Sequence, residues 1–533
     1  MAFAAQSAAS SLLDRKLCDE LLDKYFNVFE GTFRVLHIPS FYAEYERYRQ
    51  DPSTAQPLFV HQMRLCLALG AASHPDSLLF AHLKSQWLQE ARESIGSQAR
   101  GKKKLAFEHL QLMCLLCIAS ANEAGPEPDA WIDAGDLMRR AMSLDLHRDP
   151  RFLGPMSMRQ AILHRRLWVT ILELNLLCSL QAGHPPLILS TDFDACPPAD
   201  LTDEELDSLS EVDQPDVEVT RAHHTCIQSA FHASWSTRSK IVSQVTSVAA
   251  VPAYEDILRL HGAFSKELAT FRRCIPTAGH GVQESGLSDN TAAQATLAEI
   301  LMSRYMLALH LPILGPQIRD PKFHFSRRMA VSTAIEMGKL CDILQVQRPS
   351  EREVGTAPGG KRDLEILFLR SAGIFRHLAV QSIFALMLEF VTIMEEGLDS
   401  ETSFPGCDEV ELVHHLRTAQ SWAEHRIEEG LLDIHNCCFL AASYAYGNRV
   451  ADSPDEKEKA IIDGALASSQ KCLAALNAFE ARMDLTRGTD ARNISTVETQ
   501  PVLTGVTDFD LMGDFNWADM SLPLFDWSDQ LLL

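Results

Sequence analysis

One glycine-rich stretch, GTAPGGKR at residues 355–362, comes close to the pattern of a phosphate-binding loop. In such a loop the last position is Ser or Thr, because its hydroxyl binds the magnesium ion of a nucleotide. Here that position is Arg362, and residues 348–354 do not have the pattern of a buried strand. We therefore predict a flexible basic loop rather than a nucleotide site.

Two cysteines, Cys114 and Cys117, have the spacing of a zinc-ligand pair. A structural zinc site needs four converging ligands, and no second pair lies nearby in the sequence. Both cysteines fall in an apolar helical segment, which is typical of buried thiols. The adjacent histidines at 223–224 and 414–415 point in different directions on a helix, so they do not readily chelate one ion. We expect no metal site.

The acidic run Asp203–Asp207 is similar to the magnesium-binding motif of α-helical terpene cyclases. We place it in a loop after Pro197-Pro198, and no second magnesium motif is present. The motifs HExxH, GxSxG and GxGxxG are absent as well. The sequence therefore indicates no catalytic residue, no cofactor and a protein that is not an enzyme. A terpene-cyclase-like enzyme remains the less favoured alternative.

The C-terminal residues 501–533 alternate acids with large apolar side chains. They hold six Asp and no Lys or Arg. The apolar residues that we expect to bind a partner are Phe509, Leu511, Phe515, Trp517, Phe525 and Trp527. This alternation is typical of a disordered activation segment that folds when it binds its partner. The alternative is a peptide that docks on its own domain, but six carboxylates resist full burial.

The element that must organise the chain is a predicted helix over residues 157–181. Its apolar residues surround it almost completely, and a helix of that kind is buried. Gly183 and Pro185 follow it as a helix stop. We expect the rest of the chain to pack around this rod.

Helical periodicity dominates the remaining sequence, and period-2 alternation is almost absent. We predict an all-α fold, with a flexible N-terminus (1–10), a multi-helix domain (11–485) and a disordered tail (486–533). Within the domain we predict helices at 12–29, 41–48, 56–71, 76–95, 107–121, 128–146, 217–248, 254–273, 292–311, 326–344, 364–394, 410–446 and 456–481.

Residues 142–198 resemble the middle homology region of fungal-specific transcription factors, the regulatory domain of binuclear zinc-cluster regulators. The matching pieces are Leu146-His147-Arg148-Asp149-Pro150, Arg165-Arg166-Leu167-Trp168, Ser179-Leu180, Gly183-His184-Pro185-Pro186-Leu187-Ile188, Asp192-Phe193-Asp194 and Pro197-Pro198. We take His147, Arg148, Arg165, Arg166, Leu167, Trp168, Gly183 and Pro185 as the core of this motif. The likeness is clear over residues 15–200 and extends to 480 only in helical character.

This resemblance implies a nuclear regulator of RNA polymerase II genes, commonly of a metabolic or secondary-metabolite pathway. Its partners would be transcriptional coactivators at the tail and a second regulator in a homo- or hetero-association. Family members carry a six-cysteine zinc cluster whose basic residues touch DNA, and no such cluster occurs in these 533 residues. We therefore expect no direct DNA binding by this chain. The alternative function is a co-regulator that pairs or competes with a DNA-binding partner.

Composition and charge agree with this interpretation. The net charge of −23 repels the phosphates of DNA. Thirteen cysteines, many in apolar runs, fit buried thiols in a reducing compartment. The basic run at 100–104 is either a nuclear import signal or an exposed helix start. No secretory leader is recognisable, and no apolar run reaches the length of a membrane span.

Overall fold

The fold is that of a computed structural model, which describes residues 14–99, 106–123, 128–208, 227–248, 253–275, 289–314, 318–344, 359–396, 408–448 and 453–490. Regular structure in these residues is helical and includes no β-strand, which confirms the all-α prediction. The chain divides into two compact units, residues 1–386 and residues 387–533.

The first unit is built from successive helices. They are α1 (Arg15–Tyr25), α2 (Ile38–Gln50), α3 (Pro57–Ala72), α4 (Ala81–Ala99), α5 (Phe107–Ala121), α6 (Pro128–Ser143), α7 (Met158–Gln181), α8 (Asp203–Asp207), α9 (Ile227–Val245), α10 (Tyr254–Cys274), α11 (Asp289–His310), α12 (His324–Leu340) and α13 (Gly360–Arg370). A π-helical turn, Phe26–Glu30, follows α1, and a 3₁₀ turn, Pro150–Phe152, precedes α7.

The second unit begins within α14 (Ile374–Glu396), whose residues from 387 onward belong to it. It continues with α15 (Glu409–Glu428), α16 (Ile434–Gly447) and α17 (Pro454–Asp490). Helix α16 packs along α17, and α15 contacts both. A buried ion pair, Arg426 Nε to Asp433 Oδ2 at 2.9 Å, fixes the turn between α15 and α16.

Helix α7 matches the predicted central rod. Ser157 caps its N-terminus by accepting a hydrogen bond from the Gln160 amide at 3.3 Å, and the Gln160 side chain accepts from the Ser157 amide at 3.1 Å. This reciprocal arrangement satisfies two amides that lack partners inside a helix. Gly183 stops the helix in the left-handed conformation (φ 66°), and the His184 amide bonds back to the Ser179 carbonyl at 2.9 Å.

The expectation that the whole chain packs around α7 needs correction. Helices α5, α6 and α9 contact α7, but α10, α12 and α13 pack against a second buried helix, α11. Helix α9 contacts both rods. The physical reason is length: a 24-residue helix is roughly 36 Å long and offers room for only a few neighbours.

Two predicted long helices are interrupted by glycines. The segment 410–446 divides into α15 and α16 at Gly430, which has φ 84° and therefore ends α15. The segment 364–394 divides into α13 and α14 at residues 371–373. There Gly373 passes so close to the end of α5 that a Cβ would lie 2.1 Å from the Ala121 carbonyl oxygen.

Two predicted loops also need correction. The acidic run 203–207 is helix α8, because Thr202 caps it by accepting from the Glu205 amide. The end of the glycine-rich stretch, from Gly360 to Arg362, forms the first turn of α13. The Gly360 amide donates to the Asn290 side chain at 3.1 Å and the Lys361 amide to Asp289 at 3.2 Å. These carbonyl and carboxylate oxygens satisfy the amides that a phosphate would need.

Two stretches of the described residues are long and apolar enough to cross a membrane by length and composition, namely Asp289–Leu314 and Ile374–Glu396. Of the most apolar 18 residues in each stretch, 94% are buried inside the protein in the first and 61% in the second. Core helices of globular proteins commonly have the same composition.

Candidate functional site

The candidate site is a cluster of arginines and carboxylates around the start of α7. It joins the segment 147–151, the segment 194–196 and helix α8 to Arg165 and Arg166. Arg165 and Arg166 are neighbours on the helix, so their side chains leave it in different directions. Each guanidinium therefore reaches a different carboxylate.

Asp149 is the centre of the first half of the cluster and is fully buried. Arg165 donates from Nε to Oδ2 at 3.0 Å and from Nη2 to Oδ1 at 2.8 Å. Arg151 Nε and the Cys196 amide donate to the same carboxylate at 2.8 and 2.9 Å. Burial alone would raise the pKa of Asp149, but these donors outweigh it and hold the pKa well below its usual range.

Arg148 and Asp194 extend this half of the cluster toward the surface. Arg148 Nε lies 3.0 Å from Asp194 Oδ2, and both side chains are partly exposed. Asp194 Oδ1 accepts from the Asp149 amide at 2.7 Å. The His147 carbonyl accepts from the amides of residues 194 and 195 at 3.1 and 3.2 Å. The two motif segments around 148 and 194 are thus joined by backbone and side-chain bonds.

Asp203 is the centre of the second half. It accepts from Arg166 Nη1 at 2.6 Å, from Arg34 Nη2 at 2.8 Å and from the Ile38 amide at 2.8 Å. Burial opposes its ionisation, yet the two guanidinium groups and the amide lower the pKa of Asp203. This carboxylate ties the start of α7 to the segment that leads into α2, and its oxygens are occupied, so it does not present an open magnesium site.

Leu167 and Trp168 directly follow the two arginines on α7 and are buried. The Trp168 ring packs 5.7 Å from the ring of Phe193 and 6.3 Å from that of His147. Phe193 in turn packs edge-on against Trp235 of α9 at 5.2 Å. The aromatic residues of the motif therefore form the apolar base on which the charged cluster rests.

The far end of α7 carries the remaining motif residues. Gly183 allows the chain to reverse, and Pro185 lies exposed just after it. Between them the His184 ring packs 4.4 Å from the ring of Trp131 on α6. Gly183 and Pro185 therefore lie away from the arginines, just after the C-terminal end of α7.

Sequence reasoning also missed the buried ion pair of Glu173 with Arg238. Arg238 Nη1 donates to Glu173 Oε2 at 2.6 Å and Nε donates to Ser234 at 3.0 Å. The guanidinium also stacks over the ring of Tyr305 on α11, 5.1 Å from its centroid. The available signal was one carboxylate inside an apolar run of α7, since a buried charge requires a partner.

The other chemical candidates do not converge. Cys117 contacts Cys178 on α7 with 3.7 Å between the sulfurs, and within the described ranges no group of three or more His, Cys, Asp or Glu could hold a metal. The rings of His414 and His415 on α15 lie 5.8 Å apart at 49°. His414 is exposed, whereas His415 is buried. The pair at 223–224, the loop residues 355–358 and the tail residues Phe509, Leu511, Phe515, Trp517, Phe525 and Trp527 lie outside the described residues.

The segment that contains this cluster matches a known protein family. Residues 22–273 match the family model described as "Fungal specific transcription factor domain". Residues 22–273 therefore form a fungal-specific transcription factor domain. The matched segment includes both arginine–carboxylate centres and α7, which confirms the resemblance seen in the motif. This domain belongs to transcription factors rather than to enzymes, as the sequence predicted.

Several curated proteins are similar to the chain. "Transcription factor opdR" of Penicillium oxalicum is 28% identical over 400 residues, which cover 74% of this chain and 49% of that protein. "Transcription factor lepE" of Aspergillus flavus is 25% identical over 88% of this chain and 56% of its own length. "Equisetin cluster transcription factor eqxF" of Fusarium heterosporum is 31% identical over 38% of this chain and 31% of its own length.

The chain spans about half the length of the first two of these relatives. No solved structure gives a significant match.

Proposed function

We propose that the chain is a nuclear transcriptional regulator of RNA polymerase II genes in a secondary-metabolite or other metabolic pathway. The observation that carries this proposal is the match of residues 22–273 to the transcription factor domain. The name of the Fusarium relative, a transcription factor of the equisetin cluster, supports the pathway class. The arginine–carboxylate cluster supports a structural role for the motif, because its two buried carboxylates, Asp149 and Asp203, each accept from arginines and from a backbone amide.

In this proposal the helical body positions and restrains the tail. Buried charges with complete sets of partners favour one arrangement of the segments they join. Asp149 and Asp203 join four separate segments to the start of α7. Such a body supplies a fixed platform, while the recruiting chemistry resides in residues 501–533.

The tail would recruit transcriptional coactivators through its aromatic side chains. Large rings dominate the free energy of contacts with an apolar groove, whereas acids mainly raise solubility and the rate of encounter. We therefore assign binding to Phe509, Leu511, Phe515, Trp517, Phe525 and Trp527. The six Asp keep these rings accessible in water until a groove binds them.

A reporter assay with the tail fused to an unrelated DNA-binding domain tests this function. Residues 501–533 should activate the reporter, and the triple change Trp517→Ala, Phe525→Ala, Trp527→Ala should abolish most of the activity. The matched control changes three apolar residues outside the aromatic set, Val502, Leu503 and Val506, to Ala and should keep most of it. Asp519→Asn should weaken activation modestly, with a reduced dependence on salt.

A silent fusion, or a triple aromatic variant with full activity, would remove the activation role. The tail would then be a docking peptide or a spacer. The transcriptional assignment of the body is tested separately by deleting the gene in its host and measuring transcripts of nearby biosynthetic genes.

A co-regulator that pairs with a DNA-binding protein is the second candidate function. The net charge of −23 favours it, because the chain as a whole is repelled by DNA. Association through the helical body would give it access to a promoter. Recovery of one regulator with the tagged chain, and a promoter shift that requires both proteins, would support this candidate.

A further inference from the structure

A chain of hydrogen bonds joins α10, α11 and α12 through two histidines. Nδ1 of His261 on α10 lies 2.9 Å from Nε2 of His310, the last residue of α11. His310 Nδ1 lies 2.9 Å from the Ser326 hydroxyl of α12, which donates to the Tyr254 hydroxyl at 3.2 Å. Because Tyr254 lies on α10 again, the chain links all three helices and returns to the first. Ser265, one turn after His261, bonds to His261 Nε2 at 3.1 Å.

The positions of the protons follow from the donors in this chain. Ser326 donates to Tyr254, so it accepts from the Nδ1–H of His310. Nε2 of a neutral His310 is then an acceptor, and His261 donates to it from Nδ1. Ser265 donates to the remaining nitrogen of His261. With both rings neutral, each hydrogen bond therefore contains one proton.

Acid disturbs this arrangement at the bond between the two rings. A first extra proton on His261 Nε2 preserves the chain, because the Ser265 hydroxyl turns and accepts. A second one on His310 Nε2 would place two N–H groups against each other across 2.9 Å, where there is room for one proton. The packed pair therefore binds at most one extra proton, whereas two histidines in water bind two.

Burial also opposes a positive charge on either ring. His310 and Ser326 are fully buried, and His261 is half-buried. The Phe325 ring packs edge-on against both histidines, with its centroid 4.8 Å from that of His261 and 6.1 Å from that of His310. Burial lowers the pKa of His261. Burial, followed by the charge of His261, lowers the pKa of His310 to about 3.

The charged groups that face the chain do not offset this burial. Positions three and four residues from the two histidines and from Ser326 lie on the same faces of their helices. They hold one charged side chain, Lys322, whose ammonium lies 6.0 Å from the centroid of the Tyr254 ring. Asp320 accepts from the Lys322 amide at 2.9 Å. A cation at Lys322 disfavours a further positive charge on the histidines.

The other charged groups close in sequence are directed elsewhere. His324 and Arg327 of α12 are next in sequence to the residues that contact the histidines, so they leave the helix in other directions. Asp256 and Arg259 of α10 form an exposed ion pair at 2.7 Å. The pKa values of the two histidines respond to burial and to each other rather than to these four groups.

We propose that the His261–His310 pair makes the packing of α10 on α11 and α12 sensitive to acid. Both histidine pKa values are lower in the packed state than in water, so the separated state binds more protons below about pH 6.5. Proton uptake therefore favours separation of α10 as the pH falls, and the packed state is favoured at higher pH. This inference concerns helices of the first unit and does not depend on the proposed transcriptional function.

Hydrogen–deuterium exchange of the full chain and of its His310→Gln variant tests the proposal. Glutamine keeps an acceptor for His261 but does not titrate. The ratio of the α10 exchange rates, unmodified chain to variant, removes the intrinsic effect of pH on exchange. This ratio should rise about tenfold between about pH 7.5 and 5.5, because a separated histidine takes up its proton near pH 6.5 and the packed His310 does not.

The matched control is His82→Gln, which removes an exposed histidine from α4 of the same unit. Its ratio to the unmodified chain should be the same at both pH values. Thermal melts by circular dichroism check that each variant is folded. A ratio for folded His310→Gln protein that does not change with pH would overturn the proposal.

The unmodified chain gives a second measurement that needs no variant. After division by the intrinsic rates, exchange in α10 should accelerate in acid about tenfold more than exchange in α6, a helix that contains no histidine. Equal acceleration of the two helices would show that the histidine pair does not control the packing of α10.

Discussion

Two fully buried carboxylates show how neighbours determine the charge of a side chain. Asp149 accepts from two arginines and two amides, and its pKa falls well below the usual range. Among the described residues, Glu30 accepts hydrogen bonds from the Tyr25 hydroxyl at 2.6 Å and the Leu36 amide at 2.8 Å. Burial therefore dominates at Glu30 and raises its pKa to about 7. The contribution of Asp149 to stability is therefore lost as the pH falls, whereas that of Glu30 is lost as the pH rises.

Asp149→Asn should destabilise the protein strongly. The variant keeps the shape of the side chain but removes the negative charge that the guanidiniums of Arg165 and Arg151 contact. Loss of one partner of a buried pair costs about 3–5 kcal/mol, and we expect the lower end because Arg151 is 43% exposed. Urea unfolding at pH 7 measures the change in the free energy of unfolding.

The matched control for this prediction is Asp136→Asn. Asp136 pairs with Arg140 at 2.8 Å on the exposed face of α6, and such a pair contributes about 0.3–0.5 kcal/mol. The contribution of Asp149 should be present above its unfolded pKa of about 4 and should be lost as the pH falls toward its depressed folded pKa. Equal effects of the two substitutions would show that the cluster does not stabilise the fold.

Glu30→Gln should flatten the pH dependence of stability. Between its unfolded pKa of about 4.3 and its folded pKa of about 7, the folded state holds a proton that the unfolded state has released. Stability should therefore fall as the pH rises through this range. Glutamine keeps the neutral form, so the variant should be more stable than the unmodified chain at pH 8 and similar to it at pH 5.

Urea unfolding at pH 5, 6, 7 and 8 measures this dependence. The control is Glu46→Gln, whose side chain is 54% exposed and should leave the pH profile unchanged. A profile of Glu30→Gln parallel to that of the unmodified chain would show that Glu30 is already ionised at pH 5.

Among the helices, α7 should be the one where the loss of a core side chain lowers the stability of the fold most. Trp168 lies on α7, is fully buried, and packs against the rings of Phe193 and His147. Truncation of a buried Trp to Ala typically costs about 3–5 kcal/mol, and a typical domain has only about 5–15 kcal/mol. Trp168→Ala should therefore give insoluble or partly unfolded protein, as seen by soluble yield and by the melting temperature.

An exposed aromatic residue provides the control for Trp168. Phe152 is 65% exposed and lies in the same motif region, so Phe152→Ala should be soluble with a nearly unchanged melting temperature. Soluble Trp168→Ala protein with the melting temperature of the unmodified chain would show that α7 does not form the core.

The helices themselves were predictable because periodicity and stop signals are local. Residues 157–181 had an almost continuous apolar surface and were followed by Gly183, and α7 begins and ends at these bounds. The break at Gly373 was not predictable, because it depends on the approach of α5 from 250 residues earlier. The arginine–carboxylate pairs could not be predicted either, because residues such as Arg34 and Asp203 are far apart in the sequence and come into contact only in the folded chain.

For the whole molecule, the net charge and the buried ion pairs have different consequences. The buried carboxylates Asp149 and Asp203 are paired with Arg165 and Arg166, whereas the net charge of −23 acts through the exposed side chains. That surface charge acts at long range on any polyanion, and salt screens it within about 10 Å at 0.1 M. It therefore bears on partner choice rather than on the fold.

The chain of 533 residues should not bind duplex DNA or zinc by itself. Phosphate contacts require clustered Lys and Arg, but this chain has 48 Lys and Arg residues against 71 Asp and Glu residues. Zinc requires about four converging ligands, and within the described residues no group of three is found. A gel shift at about 0.15 M salt with promoter DNA, and metal analysis after dialysis, measure both properties. The same chain fused to a basic DNA-binding module is the positive control. A specific shift by the unfused chain at nanomolar concentration, or two zinc ions bound per chain, would contradict the prediction and would make direct DNA recognition part of its function.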